Sequence, residues 1–407
     1  MRFLFVSAQL PGHLDWGGYL ATAAELVRRG REVRWASGEE VAPLVAQAGV
    51  PFHPLRETGW RWPPPPPLQL SPDLDAVTVR RLRAERALDQ WLDVARVTPA
   101  AAQLIALGQS FRPDLVVSEV FASAAGIAAE RLGVPLVVAG WPALQPKTAS
   151  GDDDLVAEAR SRLHRLLTHF ALQGENWTAE GAPALLSPHL HLTYWSPGWY
   201  RGLALLPQTV HVGGQAPAPA SPPPWPDLDP WVLITLGTSF SNDPNFFINA
   251  AHAAVQLGCL PILVLGGQLP AAALETMRGR LPAQKIVTER VDFAAVLPNV
   301  AAAIHHGGAG TTHALLTHAV PQIIVPHAAD QMHQAQGVVR SGVGVHVPAR
   351  EATIDRLAAV LAQVLPDLSP YRAKTQALRD EFARLGGVQR AAELLEQAPS
   401  YPPRSTG

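Results

Sequence analysis

"IHHGGAGTTHALLTHAVPQIIVPHAADQMH", residues 304–333, holds six of the fifteen histidines in a chain of 407 residues. Spacing argues against a metal cluster. No HExxH is present, and the one cysteine, Cys259, lies outside the stretch. His313 and His318 do not share a helix face, and adjacent His305 and His306 point to opposite faces of a strand. A strand, a glycine turn and a helix start fit better. "AAAIHH" reads as a strand end, "GGAG" lets backbone amides approach a ligand, and "TTHALLTHAV" begins a helix with Thr311 and Thr312 in its first turn. Such a helix start is an anion site, because unpaired amides and the positive dipole end both face the ligand. His306 stands at the strand end, able to donate to a phosphate oxygen, while His305 is expected to pack. The run lacks the lysine of GxxxxGK[ST] and does not match GxGxxG, which disfavours a simple ATPase or a dinucleotide oxidoreductase. "VPQIIVPHA" reads as the next strand. Asp330 and Gln331 follow it, and a carboxylate beside a carboxamide can bridge sugar hydroxyls. Asp330 could also cap the following helix; the two roles are compatible.

The same rhythm runs outward from this stretch. "RFLFVSA" (2–8), a helical pattern through Leu20, Ala23, Ala24 and Val27, and "REVRWAS" form a βαβ unit. "PDLVVSEVFASAAGIAAERLGVPLVVAGW" repeats it, and its uniformly apolar strands suit a sheet covered on both faces. A long helical pattern covers about residues 76–108. Before it, five consecutive prolines in "GWRWPPPPPLQLSPDLD" exclude a helix or central strand; they fit a stiff spacer or the wall of an acceptor cleft equally. "GGQAPAPASPPPWPDLDP" (213–230) reads as a linker. After it, "WVLITLGTS", "LPILVLGG" and "KIVTERV" restart the α/β pattern. The expected division is an N-terminal domain over 1–212, the linker over 213–230, a second domain over 231–385, and a C-terminal helix and tail over 386–407 that can return to the first domain. Ligands bind at the strand ends of such sheets.

Composition bounds the partners. Hydrophobic residues make up 47% and charged residues 16%, and the formal net charge is -2. Large cores are affordable, and a nucleic-acid partner is disfavoured. One cysteine rules out an intrachain disulfide and a multi-cysteine zinc site. The N-terminus carries no signal-peptide pattern, and no apolar run is long enough to span a bilayer. A cytoplasmic protein is the expectation, with peripheral membrane contact and oligomeric state left open.

The stretch "HHGGAGTTHALLTHAVPQIIVPHAADQ" resembles the donor-binding signature of the nucleotide-sugar-dependent glycosyltransferases that decorate macrolides, enediynes and other small lipophilic natural products. "LPGHLDWGGYLATAAELVRRGREV" and "PDLVVSEVFASAAGIAAERLGVP" are similar to that family's opening and middle, so the likeness spans the chain. It implies the GT-B fold, with two facing Rossmann-like domains, parallel sheets and a cleft between them. The first would bind the acceptor and the second the donor.

The resemblance also assigns roles. It makes His13 the general base that deprotonates the acceptor hydroxyl, which suits an imidazole with a pKa of about 6.5. The family's partner aspartate corresponds to Glu119, with Asp15 a rival carboxylate. In the second domain, Gly237, Thr238 and Ser239 are expected at the phosphates. Arg290 stands where many relatives carry a stacking tryptophan, and the Val291 backbone would meet a pyrimidine edge. Asp292 stands where the family has proline. His306, Gly308, Ala309, Gly310 and Thr311 would hold the diphosphate, and Asp330 and Gln331 the sugar. The implied reaction is an inverting transfer from a UDP- or TDP-linked sugar to a hydroxyl, with no metal and no cofactor. Trp16, Trp60, Trp62, Trp91 and Trp141 could line an apolar acceptor site or serve as ordinary packing. A nucleotide-sugar epimerase and a non-catalytic nucleotide-sugar-binding partner are the alternatives.

Overall fold

The computed structural model describes residues 1–15, 17–63, 68, 70–71, 73–140, 143, 153–219, 222, 225, 229–238, 243–267, 269–327, 329–365 and 369–400. At 153, 154, 329 and 330 it describes the backbone alone. The proline run beyond Pro63, Trp16, Trp141 and Ser239 therefore lie outside the described residues.

Two sheets organise the chain. The first contains β1 (Arg2–Val6), β2 (Glu32–Ser37), β3 (Phe52–Pro54), β4 (Leu115–Ser118), β5 (Leu136–Ala139), β6 (Leu190–Thr193) and β7 (Thr209–His211), ordered 3-2-1-4-5-6-7. The second contains β8 (Trp231–Thr235), β9 (Leu260–Val264), β10 (Ile286–Thr288), β11 (Val300–His305), β12 (Gln322–Ile324) and β13 (Gly344–His346), ordered 10-9-8-11-12-13. Every pairing between these strands is parallel. Parallel strands need helical crossovers that cover both faces, which explains why β4, β5 and β8 are buried throughout. In each sheet the strand order reverses once, between β1 and β4 and between β8 and β11. Chains leaving the two strands at such a point diverge and open a crevice at their carboxyl ends.

The chain forms two compact units: residues 1–194, 203–212 and 386–407, and residues 195–202 and 213–385. The segment Trp195–Gly202, which the sequence reading assigned to the first domain, belongs to the second unit. Side-chain packing explains the excursion. The Trp199 indole fills the space that a Cβ on Gly337 would occupy. Arg340 donates to the Trp199 carbonyl from Nε and Nη2, at 3.0 and 2.8 Å. Gly198 N–H donates to Glu381 Oε1 at 2.8 Å. The Pro/Ala-rich segment after Gly213 is likewise grouped with the second unit, where Gly214 N–H donates to the Phe382 carbonyl. The Gly387–Gln397 helix lies in the first unit, where its Glu396 accepts from Arg29 and Arg31.

The long helical pattern resolves into two helices, Ala76–Trp91 and Val94–Phe111. Asp93 accepts from Ala95 N–H and starts the second helix as its N-cap, which breaks the run. Among the described residues no helix is long and apolar enough to cross a membrane.

Candidate active site

The crevice of the first sheet holds a histidine–carboxylate pair. β1 and β4 run side by side with Val6 opposite Ser118, so the chain just beyond each strand emerges at the same edge. His13 lies in the short helix Gly12–Asp15 after β1, and Glu119 directly follows β4. His13 Nδ1 is 2.9 Å from Glu119 Oε1 and 2.8 Å from Oε2. Oε1 also accepts from Ala8 N–H at 2.6 Å. Glu119 is fully buried. A buried carboxylate is tolerated only when its lone pairs are met; the Ala8 amide and the imidazole meet them. An Nδ1–H donated to the carboxylate makes Nε2 the basic nitrogen of the neutral ring. Trp60 and Phe121 frame the ring at centroid distances of 5.0 and 5.5 Å. Of the two carboxylates the sequence left open, Glu119 holds Nδ1, and Asp15 is exposed. The longer glutamate side chain suits a residue that must reach both His13 and the Ala8 amide.

The crevice of the second sheet has the features of an anion site. β11 ends at His305, and His306 follows, almost fully buried. Its imidazole rests against two glycines: a Cβ on Gly237 would lie 2.6 Å from Cε1, and one on Gly308 would lie 2.6 Å from Nε2. Burial, followed by the nearby His305 and His327, pushes its pKa down to about 3. The ring is therefore neutral and carries one N–H. Among the described residues its Nδ1 has no hydrogen-bond partner. A buried polar atom without a partner calls for a ligand or water.

The helix Ala309–Thr317 begins beside it. Its N-cap, Gly308, supplies no side-chain cap, so the first-turn amides of Ala309, Gly310 and Thr311 stand at an uncapped helix start. Thr311 is half-buried. Thr312 is committed to the helix itself, donating to the Gly308 carbonyl at 2.9 Å.

His305 is a structural wedge rather than simple packing. It is fully buried, with its pKa lowered to about 4 by burial. Its Nε2 donates to Gln322 Oε1 at 3.0 Å, and its Nδ1 accepts from Gly307 N–H at 3.2 Å. That pairing holds the glycine turn, where Gly307 has φ 98° and a Cβ would strike Ile324. Two further histidines of the stretch are placed apart from this pair. His313 packs edge-on to Trp195, and His318 pairs with the Ala314 carbonyl. Among the described residues no group of three or more His, Cys, Asp or Glu side chains is arranged to hold a metal ion.

The remaining expected donor residues are placed as follows. Thr238 is exposed after β8. Arg290 is exposed, and its carbonyl accepts from Thr288 Oγ1. Val291 packs against the core beside β8 and β9. Asp292 caps the helix Phe293–Val296 through Ala294 N–H, a local reason for a carboxylate there. Asp330 lies in the first turn of the helix Ala329–Ser341, its side chain outside the description. Gln331 is buried, and its Oε1 accepts from His327 N–H at 2.7 Å, so its carboxamide shapes the loop after β12.

Sequence reasoning missed one contact. His327 Nε2 lies 3.3 Å from Asp243 Oδ2, across 84 residues of chain. Asp243 also caps the helix Pro244–Gln256. Nothing in the sequence pairs Asp243 with His327.

Comparison with known proteins adds the family context. Residues 267–394 match the erythromycin biosynthesis protein CIII-like C-terminal domain. The chain is 27% identical to 4'-demethylrebeccamycin synthase of Lentzea aerocolonigenes, covering 97% of this chain and 99% of that protein. It is 28% identical to L-demethylnoviosyl transferase of Streptomyces niveus, covering 94% of each. Its structure is similar to that of spinosyn rhamnosyltransferase SpnG complexed with thymidine diphosphate, with a TM-score of 0.68, 22% identity, and 98% and 99% of the two chains covered.

Proposed function

We propose that the chain is a nucleotide-sugar-dependent natural-product glycosyltransferase, a reading that its GT-B fold and its similarity to such enzymes support, and that it carries out an inverting transfer from a UDP- or TDP-linked sugar to a hydroxyl of a small lipophilic acceptor. The observation that carries this reading is the His13–Glu119 pair. With Nδ1 held by a buried carboxylate, Nε2 takes the acceptor proton as the acceptor oxygen bonds to the anomeric carbon. The bond from that carbon to the diphosphate oxygen breaks, and the nucleoside diphosphate departs with the electron pair. Glu119 steadies the imidazolium that forms, as a buried carboxylate does in a catalytic triad. One displacement by an activated oxygen inverts the anomeric centre.

Negative charge grows on the leaving diphosphate. The uncapped start of the helix Ala309–Thr317 and the His306 N–H supply fixed dipoles for that charge. The unpartnered Nδ1 of His306 and the glycines packed against its ring support a phosphate oxygen as the missing partner. On this reading turnover needs no divalent metal. The resemblance assigns Asp330 and Gln331 to the sugar and the Val291 backbone to the pyrimidine.

The test is His13→Ala. Loss of a general base costs about 10²- to 10⁴-fold in rate, while affinity for the nucleoside diphosphate should stay at the wild-type value. Wild-type turnover in that variant removes His13 from the mechanism.

A further inference from the structure

In the second sheet, β11 lies between β8 and β12, so His306 emerges between the loops that follow those two strands. Asp243 ends the loop after β8, and His327 lies in the loop after β12. Their contact, His327 Nε2 to Asp243 Oδ2 at 3.3 Å, ties the start of the helix Pro244–Gln256 to the chain after β12. Each end is anchored. Asp243 Oδ1 accepts from Phe246 N–H at 3.1 Å, which fixes the carboxylate to the helix Pro244–Gln256. The His327 ring pairs through Nδ1 with the Val325 carbonyl at 2.8 Å and packs edge-on to Phe246 at 5.6 Å. Its backbone N–H donates to Gln331 Oε1 at 2.7 Å. His327 thereby links the loop to the helix carrying Asp330 and Gln331. The His327 ring also holds the Asp243 carboxyl below the usual carboxylate range.

We infer that the His327–Asp243 pair is a clasp that holds the start of the helix Pro244–Gln256 against the chain that follows β12, beside His306. His327 is a positioning residue for the donor diphosphate, acting through the backbone it holds. This inference rests on the donor reading above. Because the clasp is a single interaction between two side chains, breaking it from either side removes the same interaction. The two substitutions should then be non-additive.

The experiment is titration calorimetry of the full chain with UDP and TDP, using His327→Ala, Asp243→Asn, the double variant and His327→Gln. Asparagine keeps the N-cap of the helix Pro244–Gln256, so Asp243→Asn removes the charge without uncapping it. Each of the first two variants should weaken nucleoside diphosphate binding by about tenfold, the scale of a lost charge-assisted hydrogen bond. The double variant should bind no more weakly than either single one. His327→Gln, which retains a side-chain N–H, should recover part of the loss. The KM for the sugar donor should rise in parallel, with the acceptor KM unchanged. Wild-type affinity in both single variants overturns the clasp, as do additive losses in the double variant. If the wild-type chain binds neither nucleotide, the donor reading itself falls.

Discussion

The His306 imidazole packs directly against Gly237: a Cβ at position 237 would lie 2.6 Å from the ring's Cε1. Gly237 follows β8 and His306 follows β11, the strands that flank the reversal in strand order of the second sheet. Gly237 also has φ 70°. Gly237→Ala therefore meets both a collision and a left-handed backbone, and should destabilise the chain by about 1–3 kcal/mol. Gly308 has φ -61°, so Gly308→Ala meets the ring alone. Denaturant unfolding should show the larger loss at Gly237, and both variants should bind UDP or TDP more weakly.

His306→Ala should lower kcat by about 10²- to 10³-fold, the scale of one lost donor to developing transition-state charge. Steady-state kinetics with saturating acceptor reads this. An unchanged kcat would remove His306 from the leaving-group site.

Stability should fall as pH drops below neutrality. Burial lowers the folded pKa of His191 to about 3, His305 to about 4 and His306 to about 3. The same side chains titrate near about 6.5 in an unfolded chain. Between those values the unfolded state binds more protons, so stability rises with pH. Their contribution is fully present above about pH 6.5 and is lost as pH falls toward the folded values. Urea unfolding at a series of pH values from neutral downward should show this slope, and His305→Gln should flatten it.

Glu119→Gln keeps the side-chain shape but removes the charge that steadies a protonated His13. Turnover should fall by about 10²- to 10⁴-fold, with donor KM unchanged. A rate equal to wild type would show that Glu119 only orients the backbone of Ala8.

Excess EDTA should leave turnover unchanged. Activity abolished by chelation and restored by Mg²⁺ or Mn²⁺ would overturn the assignment of leaving-group charge to the Ala309–Thr317 helix start and His306.

Much of this organisation was legible because it depends on local pattern. Apolar strands followed by helical patterns marked both sheets, and "HHGGAGTTH" placed His306 at the helix start. Long-range choices were not legible. Asp243 and His327 are joined only by the order of β8, β11 and β12. Nothing local in residues 195–202 shows that Trp199 will pack at Gly337 and draw that segment into the second unit. His305 read as packing because its pairing with Gln322 depends on the register between β11 and β12, where Ala303 faces Gln322. Glu119 was a mismatch to the family's aspartate until the depth of its carboxylate beside Ala8 N–H was visible.

The most direct test of the central claim is the anomeric configuration of the product, read by proton NMR. TDP-glucose and UDP-glucose, both α-linked, would be offered with a panel of phenolic aglycones to the wild-type chain and to His13→Ala. The expected result is a β-glucoside from the wild type and a rate lowered by about 10²- to 10⁴-fold in the variant. An α-glucoside, or a variant as fast as the wild type, would contradict it.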